Sequence, residues 1–158
     1  MLKIQAKVIS IKDETPRVKT FRVMWPGIEN LSFVAGQFFM LSVPGFVNPA
    51  GATVRRAYSI SSAPLDKGYV EFTITAKSSG GLSTRTHQLK VGDVVDLQGP
   101  AGFFSLKRPV RDNITFISAG SGISSLRAMY RQLLLEGHSG TVWLLAGFHS
   151  PEDVIFKE

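Results

Sequence analysis

Along the first two thirds of the chain, apolar and polar positions alternate in short runs. Ile4, Ala6 and Val8 are interleaved with Lys3, Gln5 and Lys7, and short β-branched or aromatic segments recur further on. A strand sends successive side chains to opposite faces, so a period of two predicts strands with one face in a core. Six strands are expected, near 3–11, 18–24, 37–43, 56–61, 69–76 and 94–98. Pro26-Gly27, Pro44-Gly45, Gly80-Gly81, Gly92-Asp93 and Gly99-Pro100 punctuate them, as residues of reversing turns do. One short helix is expected within 83–89. Closure is the usual way for such a sheet to lose its exposed edges, which makes a six-stranded antiparallel Greek-key barrel the expected fold.

The pattern changes after Arg108-Pro109. Ile114 to Ser118 is continuously apolar, and Ala119-Gly120-Ser121-Gly122 follows. From Ser124 to Glu136, Leu126, Met129, Tyr130, Leu133 and Leu134 stand at helical spacing. A second apolar strand is expected at 141–146. Strands buried on both faces and joined by a helical crossover indicate a parallel α/β sheet. Ser150-Pro151-Glu152-Asp153 then resembles a helix start, with a capping serine, a first-turn proline and acidic residues at the positive end. Residues 1–108 are thus expected to form the barrel, and 109–158 the incomplete first part of an α/β unit. One strand–helix–strand unit leaves sheet faces and an edge uncovered, so self-association through that edge is expected of the isolated chain.

Composition narrows the options. Apolar residues at 44% and charged residues at 19% exclude disordered and coiled-coil classes. The longest apolar run, 142–148, falls far short of the roughly 20 residues that span a bilayer as a helix. The alternating start lacks the apolar stretch of a signal peptide, so a cytoplasmic location is expected. With no cysteine in 158 residues, disulfides, thiolate metal sites and iron–sulfur ligation are excluded within them. The formal charge of +6 favours acidic or phosphate-bearing partners. The basic residues are scattered, without a recognition-helix pattern or stacking platform, and nucleic acid is not expected as a partner. His87, His138 and His149 lack metal-ligand spacing, and no metal site is expected. Trp25 and Trp143 read as core or turn aromatics.

The chemistry-bearing stretch is Arg55-Arg56-Ala57-Tyr58-Ser59-Ile60-Ser61-Ser62. Arg56 and Tyr58 share one face of a strand. A guanidinium can clamp a pyrophosphate, a phenol can stack on a flat heterocycle, and a hydroxyl can bond its edge. Those are the needs of a dinucleotide flavin, although the residues alone also fit a half-buried aromatic beside a solvated charge. About twenty residues on, Gly80-Gly81-Leu82-Ser83-Thr84 offers backbone N–H groups and a short helix opened by Ser83, which suits an anion or, equally, an ordinary capped turn.

These motifs resemble the ferredoxin–NADP reductase family: the Arg-x-Tyr-Ser signature at Arg56, Ala57, Tyr58 and Ser59, and the pyrophosphate segment at Gly81, Leu82, Ser83 and Thr84. The preceding strand, with Ile74 and Thr75, resembles the stretch that lies along the flavin through its backbone, with Thr75 where the family often has lysine. Gly92-Asp93 through Gly99-Pro100-Ala101-Gly102-Phe103-Phe104 resembles the segment closing the family's barrel, with Phe103 or Phe104 expected to plug it. Strand 114–118 and Gly120, Ser121, Gly122 and Ile123 resemble the nicotinamide-phosphate loop, with Ser124-Ser125 replacing the usual Thr-Pro and leaving the first helical turn looser. The resemblance runs from about residue 5 to 157.

It implies an FAD-dependent oxidoreductase, with NAD(P)H as co-substrate and a redox-protein acceptor, ferredoxin-like or a catalytic subunit. Tyr58 and Ser59 are implied to meet the reacting ring, Arg56 the flavin phosphate. The alternative is a flavin-binding electron-transfer subunit with no independent NAD(P)H activity.

Overall fold

The computed structural model describes residues 2–77, 80–110 and 112–157. Strands β1 (Leu2–Thr15), β2 (Val18–Met24), β3 (Phe38–Ser42), β4 (Arg56–Ser59) and β5 (Val70–Thr75) are followed by helix α1 (Leu82–His87) and strand β6 (Val94–Ala101). All six pair antiparallel in the order β4-β3-β6-β1-β2-β5, so β6 returns to lie between β3 and β1. The outer strands β4 and β5 meet at a single bridge, Ile60 to Phe72, where Ser61 N–H donates to the Glu71 carbonyl at 2.8 Å. That bridge closes the expected Greek-key barrel.

Alternation explains the interior. Val8, Phe21, Val23, Phe39, Leu41, Ile60, Phe72, Ile74 and Leu97 all point inward and are at most 2% exposed. Each such side chain contributes about 1.5–3 kcal/mol by leaving water. Phe39 meets Phe72 edge-on at 6.1 Å and Trp25 at 6.3 Å between ring centroids.

The expected plug is a different ring. Phe103 is fully exposed and Phe104 is 61% exposed, because the chain is already leaving the barrel there. Phe39 of β3 is the ring inside the barrel instead, while Phe38, on the opposite face of that strand, stays half-buried outside the core. A Cβ on Gly99 would stand 2.7 Å from the Phe39 ring, and one on Gly102 would stand 3.0 Å from the Phe38 ring. The glycines of this segment are what give the β3 aromatics room.

Strands β7 (Ile114–Ala119) and β8 (Val142–Gly147) pair in parallel, joined through a Gly120–Gly122 turn and helix α2 (Ile123–Leu135). Helix α2 lays Leu126, Ala128, Met129 and Leu133 on Phe116 of β7 and on Ala35 from the barrel's β2–β3 connection. Burial on both sheet faces does not occur. Helix α2 covers one face, while Ile117 (74%), Trp143 (59%) and Leu145 (56%) are open on β7 and β8. Trp25 is a core aromatic as expected, but Trp143 is not.

The expected helix start after Ser150 is a single 3-10 turn, Pro151–Asp153. Beyond it the chain folds back, and Ile155 is buried with Val18 and Ile123. No helix among the described residues is long and apolar enough to cross a membrane.

Candidate cofactor site

Strand β4 runs from solvent into the barrel. Along one face Arg56 is exposed, Tyr58 is half-buried against the core and Ile60 is fully buried. Were the antiparallel pairing at Ile60–Phe72 to continue outward, Tyr58 would face Ile74 and Arg56 would face Ala76. No such bridge forms among the described residues. β4 and β5 therefore diverge and leave an open seam flanked by Tyr58 and Ser59 on one side and Ile74 and Thr75 on the other. Backbone groups of a strand left without a neighbour seek another partner.

Electrostatics at the seam suit an anion and a flat ring. No carboxylate pairs with Arg56 among the described residues, and its guanidinium donates to the Arg55 carbonyl at 2.8 Å. Partial burial pushes the Tyr58 phenol above its ordinary pKa, and nearby Arg56 offsets this only in part. Its ring therefore stays neutral at physiological pH and keeps a stacking face.

The second motif packs beside β5. Gly80 and Gly81 have φ of 77° and 95°, the left-handed region that favours glycine, and nothing crowds either Cα. Helix α1 begins at Leu82 with Gly81 as its cap, one residue earlier than expected, and Ser83 makes no capping bond. The Ser83 hydroxyl instead accepts from Lys77 N–H at 3.3 Å, while Thr84 Oγ1 donates to the Lys77 carbonyl at 2.9 Å. Both hydroxyls tie off the loop, since a helix of six residues carries little dipole. Leu82 is buried in the barrel core and can offer a ligand only its backbone. His87 packs edge-on against Phe21, and its Nε2 lies 2.8 Å from the Ile74 carbonyl, so that carbonyl already has a partner.

The third motif faces the seam from the other side. Gly120, Ser121 and Thr75 line a cavity of about 390 Å³, together with Arg17, Phe148, His149 and Asp153. Arg17 and Asp153 pair at 3.7 Å at its rim. The first turn of α2 is not loose. Ser124 Oγ donates to the Ser121 carbonyl at 2.8 Å and Ser125 Oγ to that of Gly122 at 3.2 Å, fixing the turn without a proline. Ile123 points away, buried against Val18 and Ile155.

Sequence reasoning missed Arg17, Phe148, His149 and Asp153. They come from a hairpin tip and from the returning tail, and only the Pro-Glu-Asp turn hinted at that return. Thr75 Oγ1 is buried and has no hydrogen-bond partner in the structure. An orphaned hydroxyl lining a cavity is satisfied by a polar-edged ring placed there. The donor set of Arg56, Ser59, Thr75 and the Gly81 backbone fits a phosphate-bearing flavin.

Residues 5–106 match the family described as the oxidoreductase FAD-binding domain. The chain belongs to that family. It is 38% identical over 155 residues to the phenol hydroxylase P5 protein of Acinetobacter pittii (strain PHEA-2), covering 98% of this chain and 42% of that protein. Among solved structures, phthalate dioxygenase reductase, titled as a modular structure for electron transfer from pyridine nucleotides to [2Fe-2S], superposes with TM-score 0.82 at 25% identity. The match covers 98% of this chain and 46% of that one. A ferredoxin NADP+ reductase from Neisseria gonorrhoeae with bound FAD and NADP gives TM-score 0.77 at 28% identity, covering 98% and 61% respectively. The chain thus spans between 42% and 61% of the lengths of these proteins.

Proposed function

We propose that FAD sits in the open seam between β4 and β5, and that the protein moves electrons from NAD(P)H through it to a redox-protein acceptor. The observation that carries this reading is the divergence of β4 from β5 beyond Ile60–Phe72, beside a cavity shared by Thr75 and the Gly120–Ser121 turn. When bound, the flavin supplies the redox chemistry, taking a hydride from the nicotinamide and releasing electrons singly or in pairs.

The chain's own residues bind and orient. Tyr58 stacks on the ring beside Ile74, while Ser59 and the backbone of Ala57 and Thr75 bond its edge. Arg56 neutralises the pyrophosphate, and the backbone N–H groups of Gly81–Thr84 donate to it. Gly120, Ser121, Gly122 and the Ile123 backbone stand where nicotinamide phosphates approach. Tyr58 and Ser59 are thus the pair in contact with the reacting ring. Residues 1–108 form the flavin domain and 109–158 the opening part of a pyridine-nucleotide domain.

Two of the relatives support the acceptor class, one named for a phenol hydroxylase and the other titled for transfer to a [2Fe-2S] centre. With no cysteine here, any such cluster is ligated by other residues. A cytoplasmic site fits this co-substrate.

Titration of the purified chain with FAD and with FMN tests the reading, followed by anaerobic mixing with NADH or NADPH. FAD is expected to bind more tightly, and Arg56→Ala to weaken it by about 1.5–3 kcal/mol, roughly ten- to a hundredfold. Equal affinity for the two flavins, or an unmoved Arg56→Ala, would remove the pyrophosphate assignment.

A further inference from the structure

The contact between the barrel and α2 is made by charge as well as by apolar packing. Glu71, Thr73 and Thr75 alternate along the outer face of β5, and all three look toward the β7–α2–β8 unit. At one end, Glu71 is 6% exposed and accepts from two cations. Arg127 of α2 donates to Glu71 Oε2 at 2.8 Å and to the Ser61 carbonyl at 2.9 Å, and Arg22 donates to Glu71 Oε1 at 2.8 Å. Arg22 also stacks over Tyr69, 3.8 Å from its centroid, and Arg127 over Phe156 at 4.6 Å. One turn further along α2, Arg131 donates to Asp66 at 3.0 Å.

A chain of hydroxyls occupies the middle of the face. Thr20 Oγ1 donates to Glu14 at 2.9 Å and lies 2.9 Å from Thr73 Oγ1, which lies 3.1 Å from Ser61 Oγ. A hydroxyl has one proton, so Thr20's use of its own fixes the sense of the row: Ser61 to Thr73 to Thr20 to Glu14. The other Glu14 oxygen accepts Phe156 N–H at 3.2 Å. The α/β unit is therefore held to the barrel by polar contacts from Arg127 and Arg131 on its helix and from Asp153 and Phe156 on its tail.

Such a network adds little stability, because desolvating the charges offsets their attraction, while losing one partner leaves a buried charge unpaired. At the far end of the same strand face stands Thr75, with Gly120 and Ser121 across the cavity. We propose that Arg127 and Glu71 are positioning residues, setting the tilt of α2 and so the distance between the Gly120–Gly122 turn and the flavin seam. This rests on the reading above. Glu71 and Thr75 are four residues apart on one strand, about 13 Å. A tilt of about 5° at the clamp moves the far end by roughly 1 Å, enough to lower a hydride-transfer rate about a hundredfold.

The absence of cysteine permits a direct test. Nitroxide labels at Lys90→Cys on the barrel and Leu134→Cys on α2 report their separation in the FAD-loaded chain. The parent is expected to give one narrow distance distribution. Arg127→Lys, Glu71→Gln and the apolar pair Glu71→Met with Arg127→Met are expected to broaden it, with unchanged FAD affinity and a limiting rate of flavin reduction about a hundredfold lower. The apolar pair is expected to fold as stably as the parent, which separates orientation from stability. A narrow distribution in the folded variants would show that the ion pair does not set the tilt, and broadening with an unchanged reduction rate would show that the tilt does not matter. If the parent flavin is not reduced by NADH or NADPH at all, the nicotinamide reading fails and the positioning role fails with it. The label distances still decide whether the clamp orients α2.

Discussion

In the barrel, all six strands give side chains to one interior, and the rings of Phe39 and Phe72 meet at its centre. The β7–α2–β8 unit has only one covered face, and part of that cover is Ala35 on loan from the barrel. The barrel thus makes its own core, while the unit depends on a neighbour for its packing and on Glu71, Glu14 and Asp66 for its orientation. Segments with few buried apolar contacts open first, so the two regions should differ in local stability. The cavity lies where they meet, between a rigid wall and a more easily displaced one.

Three changes would break or sharpen that contrast. Phe72→Ala empties the middle of the barrel and should cost about 3–5 kcal/mol of global stability, read as a lower urea midpoint by every probe. Leu133→Ala should cost about 2–5 kcal/mol in the smaller cluster. Its signature is local: amides of α2 and β8 should exchange faster while those of β1, β2 and β6 keep their protection. Uniform loss across both regions would mean that they unfold as one. Trp143→Ser, on the open face of β8, should change stability by no more than about 0.5 kcal/mol. It should lower concentration-dependent light scattering, because exposed apolar surface on the open face of an edge strand drives association.

The contrast also explains what could be read from the sequence. Strands with one wet face announce themselves by alternation, and all six barrel strands lie where Ile4-Ala6-Val8 and its counterparts place them, while the two crossover strands lie where their apolar runs place them but are covered on one face only. Glycine-bearing motifs were legible for the same local reason. What escaped was set by distant contacts. Phe39 rather than Phe103 or Phe104 is the ring inside the barrel because Gly99 lies against β3, a pairing with no local signature. Trp143 is open because nothing in the described structure covers that face of β8, and apolar character alone does not reveal what lies opposite. Arg127 and Glu71 carry no local sign of burial, because only the docking of α2 against β5 brings them together. Ser83 had the residue type of a cap, yet Gly81, with its positive φ, caps the helix two positions sooner.

The pairing of β1 with β6 has a consequence for the newborn chain. Leu2 lies opposite Gly99, so β1 meets one of its two neighbours only after roughly 97 further residues have been made. At about 5–20 residues per second, the interval on the ribosome is roughly 5–20 s. During that time β1 and β2 can form only an isolated hairpin, which is marginal in water. Barrel closure is a late, long-range event of the kind that slows folding. Val8, Phe21 and Val23 therefore lack their β6 cover until that strand emerges, and this interval, rather than the finished fold, is when they are most open to wrong contacts.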